Sequence, residues 1–415
     1  MHSPRSWQDL AVFGGRPLFN EPLHVNKPNL ASRDRLFERI DGMLARRWFS
    51  DGQLVREFEQ HISRLTGVRH CVATCNGTLA LEIAIRALNL TGEVIVPSFT
   101  FAATVQALRW LNITPVFCDV DPETHTIDPG HVERLMAPRT SGIIAVHLWG
   151  QPCDIDALTA IAKRHRLALV FDSAHALGSS YRGRPIGGFG TAEVFSFHAT
   201  KFVNTAEGGA ITTDDDALAA RLRAARDFGF DADDRIVGVG TNGKMSEICA
   251  AMGLTYLESF DELIAANQAT YAQYKADLAD IKGISLLPLD TVEKCNYQYI
   301  VTVVDESITR ISRDELLQVL QAENIFAKRY FYPGCHRMVP TAPGGEDASE
   351  RLSVTEKLAR TVLVLPGGAS IDNREVQGVC ETLRFAVKYG TQIRNAFANC
   401  VGYKNVPGEG PGRHF

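Results

Sequence analysis

Short apolar runs recur along the first half of the chain at intervals that leave room for a helix between them: 94–96, 115–118, 143–147, 168–171, 194–197 and 210–213. Stretches with helical spacing, such as 154–165, fall in the gaps. Strands that are apolar throughout are buried on both faces, and strands separated by helices build right-handed βαβ units. The pattern predicts an α/β fold around a mostly parallel sheet, with ligands at the carboxyl ends of the strands.

Two of these runs end in residues suited to chemistry. The run 167–171 delivers Asp172, followed by Ser173, Ala174 and His175. The run 194–197 contains Ser196, and Lys201 follows five residues later, before a turn (Glu207-Gly208-Gly209-Ala210) whose small residues let backbone approach a ligand closely. A lysine amine condenses with an aldehyde such as that of pyridoxal 5′-phosphate (PLP). A serine hydroxyl can donate to the phosphate, and a carboxylate beside the pyridine nitrogen keeps it protonated. His175 is placed to hydrogen-bond the phenolic oxygen. A third segment, 71–78, joins a short strand to an apolar helical run at 79–88, so that Gly77 and Thr78 stand at a helix N-terminus, where free N–H groups favour a phosphate. Each feature has a plainer reading: Lys201 as a surface lysine after an edge strand, His175 as a satisfied structural residue, Gly77-Thr78 as an ordinary helix start. Their combination favours the cofactor.

Six further segments extend the pattern: VIVPSFTFAAT (94–104), PVFCDVDPETHTID (115–128), HLWGQPCDID (147–156), FDSAHALGSSYRG (171–183), FSFHATKFVNTAEGGAITT (195–213) and GTNGKMSEICAAM (240–252). In this order they resemble the DegT/DnrJ/EryC1/StrS sugar aminotransferases, PLP enzymes of fold type I, from about residue 29 to about residue 332. The resemblance implies a large domain with a seven-stranded, mostly parallel sheet between helices, and a smaller C-terminal α/β domain. It implies Lys201 as the Schiff-base lysine, Asp172 as the pyridinium partner, Ser196, Gly77 and Thr78 as phosphate ligands, and Phe101 as the aromatic stacked on the cofactor. Asn242 matches a residue that reaches the phosphate from the neighbouring subunit, so a homodimer with shared sites is expected. Cys75 stands where relatives often carry Ser, and His175 where many carry Gln. Members with His in place of the lysine are dehydratases; this chain keeps Lys201. The segments around Lys201 and Asn242 look most like the branch acting on nucleotide-linked 4-keto-6-deoxyhexoses, which implies transfer of an amino group from L-glutamate to C4 of dTDP-4-keto-6-deoxy-D-glucose. A 3-keto sugar, a keto-inositol or an aminobenzoate precursor remains open as the acceptor.

The remaining expectations concern organisation and partners. A large domain is expected over 1–262, a small one over 263–400 and a flexible tail over 401–415, where two prolines and four glycines gather. Residues 246–278 read as one long helical pattern, 297–304 as a strand and 313–322 as a helix. The turn at 331–336 lies near the substrate in the family, making Tyr332 and His336 candidate sugar contacts. For the diphosphate, Lys244, Arg226, Lys328, Arg329 and Arg337 are candidate cations, each alternatively a solvated charge. With 43 basic and 48 acidic residues the net charge is −5, and no basic tract suggests nucleic acid. No apolar run approaches the roughly 20 residues of a membrane helix, and no apolar stretch follows the N-terminus as in a secretory signal, so the cytoplasm is expected. Nine scattered cysteines imply neither a zinc site nor a disulfide framework. Two other classes share parts of this sequence pattern: a PLP-fold lyase, for which Cys335 is the candidate reactive thiol, and a non-catalytic ligand-binding regulator, against which Lys201, Asp172 and Ser196 together argue.

Overall fold

The computed structural model describes residues 6–28, 31–289, 293–339 and 351–399. Seven strands form the central sheet, in the spatial order His70–Thr74, Gly209–Thr213, Ala192–Ser196, Ala168–Asp172, Thr140–Val146, Glu93–Pro97 and Thr114–Cys118. Gly209–Thr213 runs antiparallel to both its neighbours, and the other pairs are parallel. Because side chains alternate across a strand, each apolar run feeds two cores. Ile95, Ile143, Leu169, Phe171 and Phe195 point to one face, and Val94, Val96, Ile144, Val170 and Val194 to the other. Helices cover both: Gln53–Thr66 and Glu247–Leu257 contribute to the first core, Gly77–Ala87 and Asp216–Arg226 to the second.

A second unit surrounds a three-stranded antiparallel sheet, Ile284–Leu286, Ile300–Val304 and Val362–Leu365, packed with helices Arg313–Ala322 and Asn373–Lys388. The helix expected at 313–322 is present. The strand expected from 297 begins only at Ile300, because Tyr297 takes a left-handed conformation (φ 50°) that extended pairing does not allow.

Two boundaries differ from expectation. The pattern at 246–278 divides into helices Glu247–Leu257 and Phe260–Leu278, and Glu258, at the break, is paired with Arg35 and Arg39. A division after residue 262 falls inside the second helix: Phe260 belongs to the large core, Tyr271, Tyr274 and Leu278 to the small one. The N-terminal segment, expected with the large domain, packs on the small unit instead. Leu10, Val12, Phe19, Leu23 and Val25 enter its core, and Leu23–His24 pairs in parallel with Ile325–Phe326. Tail residues 401–415 lie outside the described residues. Among the described residues, no helix is long and apolar enough to cross a membrane, and eight cysteines are free.

Candidate active site

The carboxyl ends of strands Ala168–Asp172 and Ala192–Ser196 open into a cavity of about 800 Å³. Its lining brings together Lys201, Asp172, His175, Ser196, Gly77, Thr78 and Phe101, seven of the residues singled out in the sequence.

Asp172 ends a strand whose last four residues are buried, and burial pushes its carboxyl up from the ordinary range. Thr104 Oγ1 donates to Oδ2 at 2.8 Å and the Ala174 amide to Oδ1 at 3.1 Å, fixing its orientation while leaving room for a cationic partner. The next residue is clamped: Ser173 Oγ donates to Glu193 Oε2 at 2.5 Å.

Lys201 follows Ser196 on a turn that leaves the sheet, and its half-buried side chain returns to the cavity. Desolvation lowers the amine to about 8, with the Asp172 charge opposing that shift. A lysine in that range loses its proton near neutral pH and becomes a nucleophile. Nζ lies 3.2 Å from the Tyr299 hydroxyl.

His175 is buried and held neutral, its imidazole lowered well below the usual value by desolvation. The Trp149 amide donates to Nδ1 at 3.3 Å, which assigns the proton to Nε2 and makes that nitrogen a donor. Trp149 makes this contact from a left-handed conformation (φ 63°), a strained geometry of the kind found at functional sites.

Opposite Lys201, helix Gly77–Ala87 starts at the cavity. Asn76 caps it, its Oδ1 accepting from the Leu79 amide at 2.8 Å, so the first amides remain available to an anion. A Cβ on Gly77 would stand 2.9 Å from Ser196 Cβ, and one on Gly209 would stand 2.5 Å from the Asn76 carbonyl oxygen. Glycine at both positions keeps a phosphate-sized cradle open between helix start and Ser196 hydroxyl. Cradle, amine and buried carboxylate fit the phosphate, aldehyde and ring nitrogen of PLP.

Several candidates lie elsewhere. His336 is buried in protein: Ser98 Oγ lies 2.6 Å from Nδ1 and Glu356 Oε1 2.9 Å from Nε2. Tyr332 is 41% exposed, with Arg313 and Arg329 over its ring, and does not line the cavity. Arg329 faces Asp314 at 3.6 Å, Lys244 is paired with Asp227, Arg337 with Glu356, and Arg226 with Glu59 and Asp51. Of the five candidate cations, only Lys328 lines the cavity. Each of the other four lies beside a carboxylate. Asn242 bridges to Asp227 and does not line this chain's cavity, although Gly240 and Thr241 do. Cys335 is fully buried, its thiol pushed up to about 12 by desolvation and directed at the Thr100 carbonyl, which removes the thiolate that a lyase would need.

Sequence reasoning passed over Thr104, Tyr299 and Trp149, and over Asn26 and Tyr330, which also line the cavity. Thr104 and Trp149 lie inside segments already singled out, and Tyr299 lies in a run read only as a strand. Asn26 carried no local signal.

The family model for DegT/DnrJ/EryC1/StrS aminotransferases matches residues 31–384. A dTDP-4-amino-4,6-dideoxy-D-glucose transaminase of Shigella dysenteriae is 34% identical over 367 residues, 88% of this chain and 99% of that protein. A GDP-perosamine synthase of Caulobacter vibrioides is 35% identical over 356 residues, 85% and 94% of the two chains. The structure of DesI determined in the presence of its TDP-sugar product superposes with a TM-score of 0.90 at 48% identity, covering 95% of this chain and all (100%) of that one. With the lysine, the buried carboxylate and the phosphate cradle on one cavity, and with this likeness along nearly the whole length, the chain belongs to the DegT/DnrJ/EryC1/StrS aminotransferase family.

Proposed function

We propose that this aminotransferase moves an amino group from L-glutamate to C4 of a nucleotide-linked 4-keto-6-deoxy sugar, with dTDP-4-keto-6-deoxy-D-glucose the first acceptor to test. The observation that carries this reading is the Lys201 amine, lowered to about 8, in one cavity with Asp172 and the Gly77–Ser196 cradle. Likeness to the Shigella transaminase and to the TDP-sugar-bound DesI supports the acceptor.

PLP, when bound, supplies the aldehyde that receives amines and the electron sink that stabilises charge on the reacting carbon. Ser196, Thr78 and the amides at the start of Gly77–Ala87 would hold its phosphate, Phe101 would cover its ring, and His175 Nε2–H would be the donor for its phenolic oxygen. Asp172 holds the proton on the ring nitrogen, which a buried carboxylate does well because nothing screens the pair. With the cofactor in place, Lys201 would be the proton carrier of the site, because its nitrogen is the basic group tethered in the cavity beside Asp172 and the phosphate cradle.

The active unit in this reading is a homodimer, with Asn242 completing the phosphate site of the partner subunit. Exposed Trp110 and Val239 at one end of the cavity, with exposed Phe228, Phe230, Ile236 and Val237, support it, since apolar patches of this kind mark interfaces. In mixing experiments, inactive Asn242→Ala and Lys201→Ala chains should regain activity after subunit exchange, because one site of the mixed dimer has both residues intact.

A GDP-linked acceptor is the second reading, favoured by the likeness to the GDP-perosamine synthase. The deciding experiment charges the enzyme with glutamate, removes the donor, and follows the cofactor's visible absorption on addition of dTDP- and GDP-linked 3-keto and 4-keto sugars. Recovery of the starting band with a dTDP-linked 4-keto sugar supports the proposal. Recovery only with a GDP sugar, a 3-keto sugar or none overturns it.

A further inference from the structure

The Lys201 amine has a partner that lies 98 residues away in sequence. Tyr299, just before strand Ile300–Val304, is 3% exposed, and its hydroxyl stands 3.2 Å from Lys201 Nζ at the cavity wall. The ring is wedged between His175 (centroids 4.5 Å apart) and Trp149 (5.3 Å), so the hydroxyl cannot swing away. A third segment reaches the same wall: Asn26, in a left-handed conformation (φ 56°), lines the cavity, and its side chain acts to lower the pKa of the Tyr299 hydroxyl against the rise that burial imposes. The segment carrying Asn26 is firmly seated. Beyond the Leu23–His24 pairing, Glu323 accepts from the amides of Ala11 at 2.8 Å and Leu18 at 2.7 Å.

Packing alone does not require this arrangement, because phenylalanine fills the same ring volume. A buried hydroxyl needs a partner, and the fold supplies the Lys201 amine from a remote segment, with the Asn26 side chain on the same cavity wall. Such a contact matters for a lysine that is intermittently set free. An unanchored lysine side chain explores many rotamers, and each excursion takes its nitrogen away from the carbons between which it must move a proton. A phenol holds the amine in either protonation state, but its oxygen accepts from the charged ammonium more strongly than its O–H donates to a neutral amine, so the contact favours the ammonium.

We propose that Tyr299, oriented by Asn26, is the docking point of the Lys201 amine, a pair of positioning residues that hold the lysine nitrogen beside the cofactor whenever it is not bonded to it. This rests on the aminotransferase reading, in which the amine is released and needed again within each turnover.

The test uses the full chain, with and without cofactor. In the cofactor-free protein, modification of Lys201 by trinitrobenzenesulfonate is mapped by peptide mass spectrometry as a function of pH. Tyr299→Phe removes an acceptor from the ammonium form, so the midpoint should move to lower pH. In the loaded enzyme kcat should fall about tenfold, the scale of one hydrogen bond to a charged group, with KM for the keto sugar changing much less. Asn26→Gly, which tolerates the left-handed backbone, should shift both readouts in the same direction by less, and Asn26→Asp should restore kcat toward the parent. An unchanged midpoint in Tyr299→Phe, or a shifted midpoint with unchanged kcat, overturns the proposal. If Tyr299→Phe does not fold, absence of any shift in Asn26→Gly overturns it. Failure of the aminotransferase reading is separately visible: the parent enzyme would then transfer no amino group, whatever the cofactor-free titration shows.

Discussion

At the carboxyl edge of the sheet, Asp172, Ser196 and Lys201 turn polar atoms into the cavity, whereas in the turn at 331–336 the polar atoms are turned into protein or solvent. His336 spends both ring nitrogens on Ser98 and Glu356, Cys335 points at a backbone carbonyl, and the Tyr332 ring lies under two arginines. Both regions were expected to meet the ligand. The difference teaches that nearness in sequence to a substrate-side turn says little about which way a side chain faces, while the end of a buried parallel strand fixes that direction. A residue just past such a strand has no neighbouring helix turn to pair with, and its polar group is aimed into the crevice.

Four substitutions test this contrast, from the largest expected effect to the smallest. In the proposed reading Lys201→Ala removes tether and proton carrier together, so turnover should fall by about ten-thousandfold or more while the protein still folds. Near-parental transamination would show that another amine does the work. Asp172→Asn keeps the shape and removes the charge, and kcat should drop roughly a hundredfold, within what an adjacent opposite charge contributes to holding a proton. Unchanged kinetics would mean that another group protonates the ring. Ser196→Ala should weaken PLP binding by about tenfold in equilibrium titrations, the loss of one hydrogen bond to a charged group, with kcat at saturating cofactor nearly unchanged. Equal affinity would leave the cradle to the helix start alone.

The smallest effect on turnover belongs to the other region. His336→Ala should leave kcat and KM near parental values and lower unfolding stability by about 1–3 kcal/mol, because Ser98 and Glu356 lose a buried partner. A large rise in KM for the keto sugar with unchanged stability would reverse the comparison and return His336 to the substrate site.

Much of the fold and half of the site were legible before any coordinates. The strand runs read from apolar continuity coincide with six strands of the central sheet, since continuous burial on both faces leaves little alternative for a short β-branched run. Less legible was the seventh strand's place: His70–Thr74 lies at the sheet edge beside Gly209–Thr213, a pairing between segments far apart in sequence. Asn26 and Tyr299 were invisible for the same reason, since a lone Asn in an N-terminal segment and a Tyr in a run read as a strand have no local feature that distinguishes them from a turn residue and a core aromatic. The candidate cations failed differently. A positive charge in sequence carries no mark of its partner, and Arg226, Arg329, Arg337 and Lys244 each lie beside a carboxylate.

By itself the sequence determined the chemistry that local order can encode: a strand that ends in Asp172, a turn that presents Lys201 after Ser196, and a helix that begins at Gly77. Those follow from periodicities and backbone freedoms that act over a few residues. Tertiary structure alone decided which groups share a cavity, which charges lie beside opposite charges, and that an N-terminal segment crosses to the small unit and brings Asn26 to the cavity wall that also holds Tyr299 and Lys201. Contact between distant segments is set by the burial of whole faces against one another, and no short stretch of sequence contains that information.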